Sequence, residues 1–169
     1  DGRNFTVSGV HTSPASGNAG LFANVEGTVK NLKLTGESVS GHSASGGLAG
    51  SITNGATVMN VSVSGDITGG NSVGGLIGYA QNSTVSRSSA TGTVTSTVAW
   101  AGGLIGYDAN SSVYNSFSNT TITGNNTSGG LTGSIYVDSG NTVTIENSYT
   151  AGSITDLNGK AGFVASSQG

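Results

Sequence analysis

The sequence predicts an all-β chain wound as a parallel β-solenoid, right-handed by default, with about six coils of 27–28 residues and three short strands per coil. Three observations predict it. A Gly-Gly-Leu block returns at nearly constant spacing. Two β-like blocks follow each copy in the same order. No stretch places apolar residues at helical spacing.

The first block reads Gly46-Gly47-Leu48-Ala49-Gly50, Gly74-Gly75-Leu76-Ile77-Gly78, Gly102-Gly103-Leu104-Ile105-Gly106 and Gly129-Gly130-Leu131-Thr132-Gly133. Shorter copies stand at Gly20-Leu21-Phe22-Ala23 and Gly162-Phe163-Val164-Ala165. From Leu21 to Phe163 the spacings are 27, 28, 28, 27 and 32. The longer last interval carries its insertion between Gly133 and Thr144. A repeat this short cannot bury an apolar face alone, so stacked copies must share one core.

The second block is Thr28-Val29-Lys30-Asn31, Thr57-Val58-Met59-Asn60, Thr84-Val85-Ser86-Arg87, Ser112-Val113-Tyr114-Asn115 and Thr144-Ile145-Glu146-Asn147. The third centres on Val39, Ile67, Val94, Ile122 and Ile154. Stacked in register about 4.8 Å apart, these give three inward apolar columns. One is the Leu/Phe series and the others are the second- and third-block series. The organisation is then a lead-in coil at 1–19, coils at 20–46, 47–74, 75–102, 103–129 and 130–161, and the start of a further coil at 162–169. Asn31, Asn60, Asn115 and Asn147 form a structural Asn ladder interrupted by Arg87, because stacked amides hydrogen-bond along the axis and Asn accepts left-handed backbone. Phe117 and Tyr149 fall where Ser62 stands two and three coils earlier. Two arrangements are open for them: they point outward, or the strand changes phase.

Composition fits a thin solenoid. Gly (30), Ser (27), Thr (21) and Asn (16) dominate, and charged residues are 8%, against roughly 25% in ordinary soluble domains. That scarcity and the two His speak against enzymology. With no Cys there is no disulfide framework or thiolate site. Five Lys and Arg scattered over the chain form no basic patch in the sequence, which argues against nucleic acid. No run of about 18 apolar residues suggests membrane insertion. The chain starts at Asp1 without Met or a leader, and is read as a segment of a larger exported protein.

Gly-Gly-Leu-hydrophobic-Gly followed by Thr-Val-x-Asn resembles the GLUG-motif repeat of large bacterial surface proteins. The opening Asp1-Gly2-Arg3-Asn4-Phe5-Thr6-Val7-Ser8-Gly9 looks like the coil that precedes such arrays. The resemblance covers nearly the whole chain. Its end copies depart from the pattern, with Ala23 and Ala165 in place of the last Gly. It implies a secreted or surface-anchored bacterial protein, a group that includes adhesins and the stalks of cell-wall proteases. It implies no catalytic motif, no ligand and no cofactor.

Three groups of side chains are candidates for function. If Leu76 and Leu104 point inward, then Ile77, Tyr79, Ile105 and Tyr107 point outward on adjacent coils, with Trp100 nearby, as a patch for a protein partner or a glycan. The alternative folds Ile77 and Ile105 into the core at a glycine corner. Thr68, Thr93, Thr95, Thr121, Thr123 and Thr155 form an outward Thr-x-Thr face that resembles ice-binding solenoids; Asp66 breaks its regularity. Asp108 and Asp138 share a loop of successive coils and are weighed as a carboxylate pair against solvated loop acids. His11 and His42 occupy unrelated positions, so no catalytic or metal site is expected.

The expected function is a non-catalytic extracellular module of a bacterial surface protein, an adhesin or stalk in cell or surface attachment. A filament subunit stacking end to end and an ice-binding solenoid are the alternatives. The expected partners are other copies or flanking repeats at the coil ends, and a glycan, a host surface protein or ice on the faces.

Overall fold

A computed structural model describes residues 1–158 and 162–168. Among these residues there is no helix. The lead-in coil holds β1 (Phe5–Ser8) and β2 (His11–Thr12), and the next holds β3 (Phe22–Val25) and β4 (Thr28–Ser40). Then come β5 (Ala44–Gly46), β6 (Ala49–Ile52) and β7 (Thr57–Gly69). The third full coil has β8 (Ser72–Gly74), β9 (Ile77–Gln81), β10 (Thr84–Ser86) and β11 (Ser89–Ser96). The fourth repeats this as β12 (Trp100–Gly102), β13 (Ile105–Ala109), β14 (Ser112–Tyr114) and β15 (Phe117–Gly124). The fifth has β16 (Thr127–Gly129), β17 (Thr132–Tyr136), β18 (Thr144–Glu146) and β19 (Tyr149–Asp156), and β20 (Val164–Gln168) follows.

Each strand pairs in parallel with its counterpart one coil away, so the chain is a β-solenoid of about six turns. Three sheets run along it. One has ten strands and collects the second and third blocks together, one has six strands (β3, β6, β9, β13, β17, β20), and one has four (β5, β8, β12, β16). The sequence blocks therefore divide differently from the expected strand per block. The second and third blocks share one bent sheet, whereas Gly-Gly-Leu is a corner between the other two. The reason lies in the backbone. In β8 and β9 the bend falls on Gly75 and Leu76, and the amides of both Leu76 and Ile77 point at Leu104 O, at 3.0 and 3.1 Å. The same pair of donations recurs from Leu104 and Ile105 to Leu131 O.

The predicted columns are in register. Val29, Val58, Val85, Val113 and Ile145 are successive partners, as are Val39, Ile67, Val94, Ile122 and Ile154. Leu48, Leu76, Leu104 and Leu131 are fully buried, with Leu21 packed partly against them. Phe163 keeps the register, its carbonyl accepting from Leu131 N at 2.9 Å, but it is 39% exposed.

Glycine divides this interior in two. Gly46, Gly74, Gly102 and Gly129 on one sheet face Gly50, Gly78, Gly106 and Gly133 on the other. A Cβ added at Gly102 would lie 1.8 Å from Ile105 O and 2.7 Å from Gly133 N, so the two backbones touch where side chains would otherwise separate them. On one side of this pinch lies the larger core, with the Leu ladder, Ile77, Ile105, Val58 and Val85. On the other lies a smaller core of Val39, Ile67, Val73, Val94, Ala101 and Ile122.

Asparagine, rather than these glycines, turns the other corners. Asn31, Asn60, Arg87, Asn115 and Asn147 all have φ between 48° and 56°. A second left-handed column, Asn54, Asn82 and Asn110, stands at the other end of β10 and its equivalents. Asn reaches this region because its short amide offsets the crowding that other side chains meet there. A buried serine often follows: Ser83, Ser88, Ser111 and Ser116. Ser88 Oγ donates to Ser86 O at 2.8 Å and accepts from Val61 N at 3.2 Å, and Ser116 Oγ does the same for Tyr114 O and Ser88 N. Each hydroxyl thus satisfies itself and an amide of the preceding coil.

Candidate functional site

The glycine pinch makes the corner between the four- and six-stranded sheets concave outside. Gly106 fits against the Ser72–Val73 backbone; a Cβ there would lie 2.5 Å from Val73 N. The outer side chains of the two sheets are drawn together. Tyr79 and Tyr107 occupy one register position on adjacent coils, between Ser51 and Ser134. Their rings stack with centroids 5.7 Å apart and planes 14° from parallel. Trp100, on the neighbouring sheet, tilts onto Tyr107 with centroids 4.6 Å apart. All three are half-buried.

These rings wall a groove of about 510 Å3 that Ser43, Asn71 and Ser72 complete with hydroxyl and amide groups. Burial is the main cause that raises the Tyr79 hydroxyl above its ordinary range, with Asp138 and Asp108 adding to it. The Tyr107 hydroxyl rises mainly by burial too, then through Tyr79, Tyr136 and Asp138. Both phenols therefore stay neutral at physiological pH and can donate hydrogen bonds. Aromatic faces beside neutral polar groups are the chemistry that holds the apolar face and hydroxyls of a sugar ring.

The structure splits the expected Ile/Tyr patch. Tyr79, Tyr107 and Trp100 come together at the surface. Ile77 and Ile105 do not: both are fully buried in the larger core. The bend at Gly75-Leu76 and Gly103-Leu104 lets two successive side chains face inward, and the glycine between isoleucine and tyrosine returns the tyrosine to the outside. Phe117 and Tyr149 point outward and stack with centroids 5.2 Å apart and planes 5° from parallel. They keep the phase of Ser62 and Ser89.

The Thr residues form two outward columns. Ser38, Asp66, Thr93, Thr121 and Ser153 make one; Ser40, Thr68, Thr95, Thr123 and Thr155 make the other. Thr93 Oγ1 donates to Asp66 Oδ1 at 2.6 Å, which ties up the first column where the acid interrupts it. The Asn ladder bonds only in its first coils, where Asn60 Nδ2 donates to Asn31 Oδ1 at 2.8 Å. Asn115 and Asn147 keep the turn but form no side-chain bond with each other, because their backbone conformation does not require one.

Asp108 and Asp138 do not form a pair. Asp108 is fully buried beside Ala80 and Ile135 in its column, and accepts from Ser111 N at 2.9 Å. Its other oxygen has no partner, and burial pushes its carboxyl up to about 6. Asp138 is exposed and accepts from Asn110 Nδ2 at 2.7 Å. His11 and His42 are exposed, and among the described residues no three His, Cys, Asp or Glu side chains are placed to hold a metal.

The structure also brings together two cations that the sequence separates. Lys33 and Arg87 line one groove with Asn4, Leu32, Asn60, Val61, Ser62 and Ser89. The expectation of scattered charge fails here, because two coil lengths along the chain are only two strand spacings in space. The signal available in sequence was the second-block alignment, where Arg87 replaces Asn.

Residues 41–68 and 69–95 each match the GLUG motif. A crystal structure of a "putative immunoglobulin A1 protease" from Bacteroides ovatus has the same fold, with a TM-score of 0.57 over 92% of this chain and 68% of that one. The two are 13% identical in sequence, so the likeness is one of architecture. No curated protein matches the chain. The two consecutive motif matches fall on adjoining coils with the same corners and columns, and residues 41–95 are a GLUG-motif repeat region.

Proposed function

We propose that this solenoid is a non-catalytic extracellular module of a bacterial surface protein, that it acts as an adhesin or stalk in attachment, and that it holds a neutral glycan in the Tyr79–Tyr107–Trp100 groove. The observation that carries this reading is the aromatic wall itself: three rings converge from two sheets on a concave, uncharged, hydroxyl- and amide-lined surface. Stacking on a sugar ring needs flat apolar faces fixed in place, and parallel coils fix them through backbone pairing rather than through mobile loops. The motif match supports a bacterial surface setting, which the resemblance to the repeat implies; the fold shared with a Bacteroides ovatus protein supports the solenoid architecture alone. A neutral-glycan array followed by calorimetry on the best hit tests it. Trp100→Ala should weaken binding at least tenfold with the fold intact. An array without hits, or a variant that binds like the parent, would remove the glycan reading.

A second reading has its own observation. Thr68, Thr95, Thr123 and Thr155 form an unbroken outward column at strand spacing, a regular array of the kind an ice surface could match. Thermal hysteresis measured on the purified chain decides it, and its absence removes ice binding.

A further inference from the structure

We propose that the groove between Lys33 and Arg87 binds an acidic saccharide by its carboxylate or sulfate group. It shares no residue with the aromatic groove and lies on the bent ten-stranded sheet.

Register places the charges. Lys33 pairs with Ser62, Ser62 pairs with Ser89, and Arg87 stands two residues before Ser89. The two cations are therefore separated along the axis by two strand spacings, about 10 Å. Between them lies a groove of about 300 Å3, enough for a monosaccharide unit. Asn4, Asn60, Ser62 and Ser89 supply groups for sugar hydroxyls, and Leu32 supplies an apolar contact. No acidic side chain lines it.

Among the described residues neither cation is held in an ion pair. Among the described residues the ion pair within 4 Å is Lys30 with Asp1, at 3.9 Å; Lys33 and Arg87 have no carboxylate at that distance. Arg87 also holds a left-handed backbone, φ 48°, at a corner where Asn31, Asn60, Asn115 and Asn147 do the same turn. Asn is the residue this conformation favours, and Arg gains nothing from it locally. The exception puts a planar, bidentate oxyanion donor at the rim of the groove, opposite a lysine. An anion there meets two charges and no competitor.

Calorimetric titration of the full chain with four probes tests the assignment: trigalacturonate, galactose 6-sulfate, inorganic sulfate and neutral galactotriose. Trigalacturonate or galactose 6-sulfate should bind, and which of them does so tells carboxylate from sulfate ester. Galactotriose should not bind here, so it is titrated into Trp100→Ala, which empties the aromatic groove. Arg87→Asn and Lys33→Gln should each weaken the acidic saccharide at least tenfold, and affinity should fall as salt rises. Arg87→Asn restores the Asn corner, so its thermal midpoint should exceed the parent's, which separates lost binding from lost fold. Binding of inorganic sulfate alone, binding of no probe, or unchanged affinity in both variants would overturn the proposal. So would loss of acidic-saccharide binding in Trp100→Ala, because the site would then be the other groove.

Discussion

The Asn60 side-chain amide donates to Asn31 Oδ1 at 2.8 Å across one coil, and both residues turn the chain in the left-handed region, at φ 55° and 56°. One residue thus does two tasks, corner and rung. Asn60→Ala removes the bond and leaves a residue that tolerates the turn poorly. It should cost about 1–2 kcal/mol, read from urea unfolding. Arg87→Asn should move the other way by about 0.5–1 kcal/mol, since it relieves the same strain. Equal midpoints for Arg87→Asn and the parent would show that this corner does not prefer Asn.

Gly102 tests the pinch. Alanine has a low steric demand almost everywhere in a sheet, but here its methyl would enter the Ile105 carbonyl and the Gly133 amide. Both obstacles are backbone and cannot rotate away. Gly102→Ala should destabilise by about 3 kcal/mol or prevent folding. Gly55→Ala is the control: its Cβ meets nothing within 4 Å, but φ is 79°, so only the smaller conformational cost of about 1 kcal/mol remains.

Asp108 makes stability depend on pH. Its carboxyl rises from the ordinary 3.8 to about 6, chiefly through burial. The folded state therefore holds the proton more tightly than the unfolded state. Stability from this group is full below about pH 4 and is lost as pH rises through about 6. The loss is about 3 kcal/mol above pH 7. Burial raises Glu37 as well, in the same direction, opposed by a backbone bond involving Val10. Asp108→Asn should flatten the pH profile of unfolding between 4 and 7 and raise the midpoint at pH 7.5. A parent profile flat across that range would contradict the burial argument.

Leu104 reports on the larger core. It is fully buried in the middle of the Leu ladder, with Leu76 and Leu131 as its register neighbours. Leu104→Ala should cost about 2–5 kcal/mol, the range for a cavity that backbone pairing above and below prevents from collapsing. Leu21→Ala, near the end of the same ladder and only partly buried, should cost less. Chemical denaturation of the two variants side by side checks the order.

Much of the fold was legible because a parallel solenoid repeats its environment. Val58, Val85 and Val113 face the same surroundings in successive coils, so one pattern recurs in one register. The serines that follow the left-handed corner residues were legible only afterwards. A buried Ser88 reads as polar filler until the Val61 amide above it is seen to need an acceptor. The candidate site was read in part. Tyr79, Tyr107 and Trp100 stood out by type, but for Ile77 and Ile105 the sequence left alternation along β9 and β13 open against a glycine corner, and the corner holds. Alternation fails there because a glycine corner interrupts it.

The sequence alone determined the solenoid, its period, its three apolar columns and the Asn corners. These follow from local geometry, since each residue type answers to its own backbone conformation and to the identical position one coil away. The tertiary structure decided what faces what across the coil. It set two glycine columns backbone to backbone, split the core, drew Trp100 onto Tyr107, and placed Lys33 and Arg87 on one groove. Those relations depend on how sharply the corner closes and on contacts between residues with no fixed offset in the chain, and a period records neither.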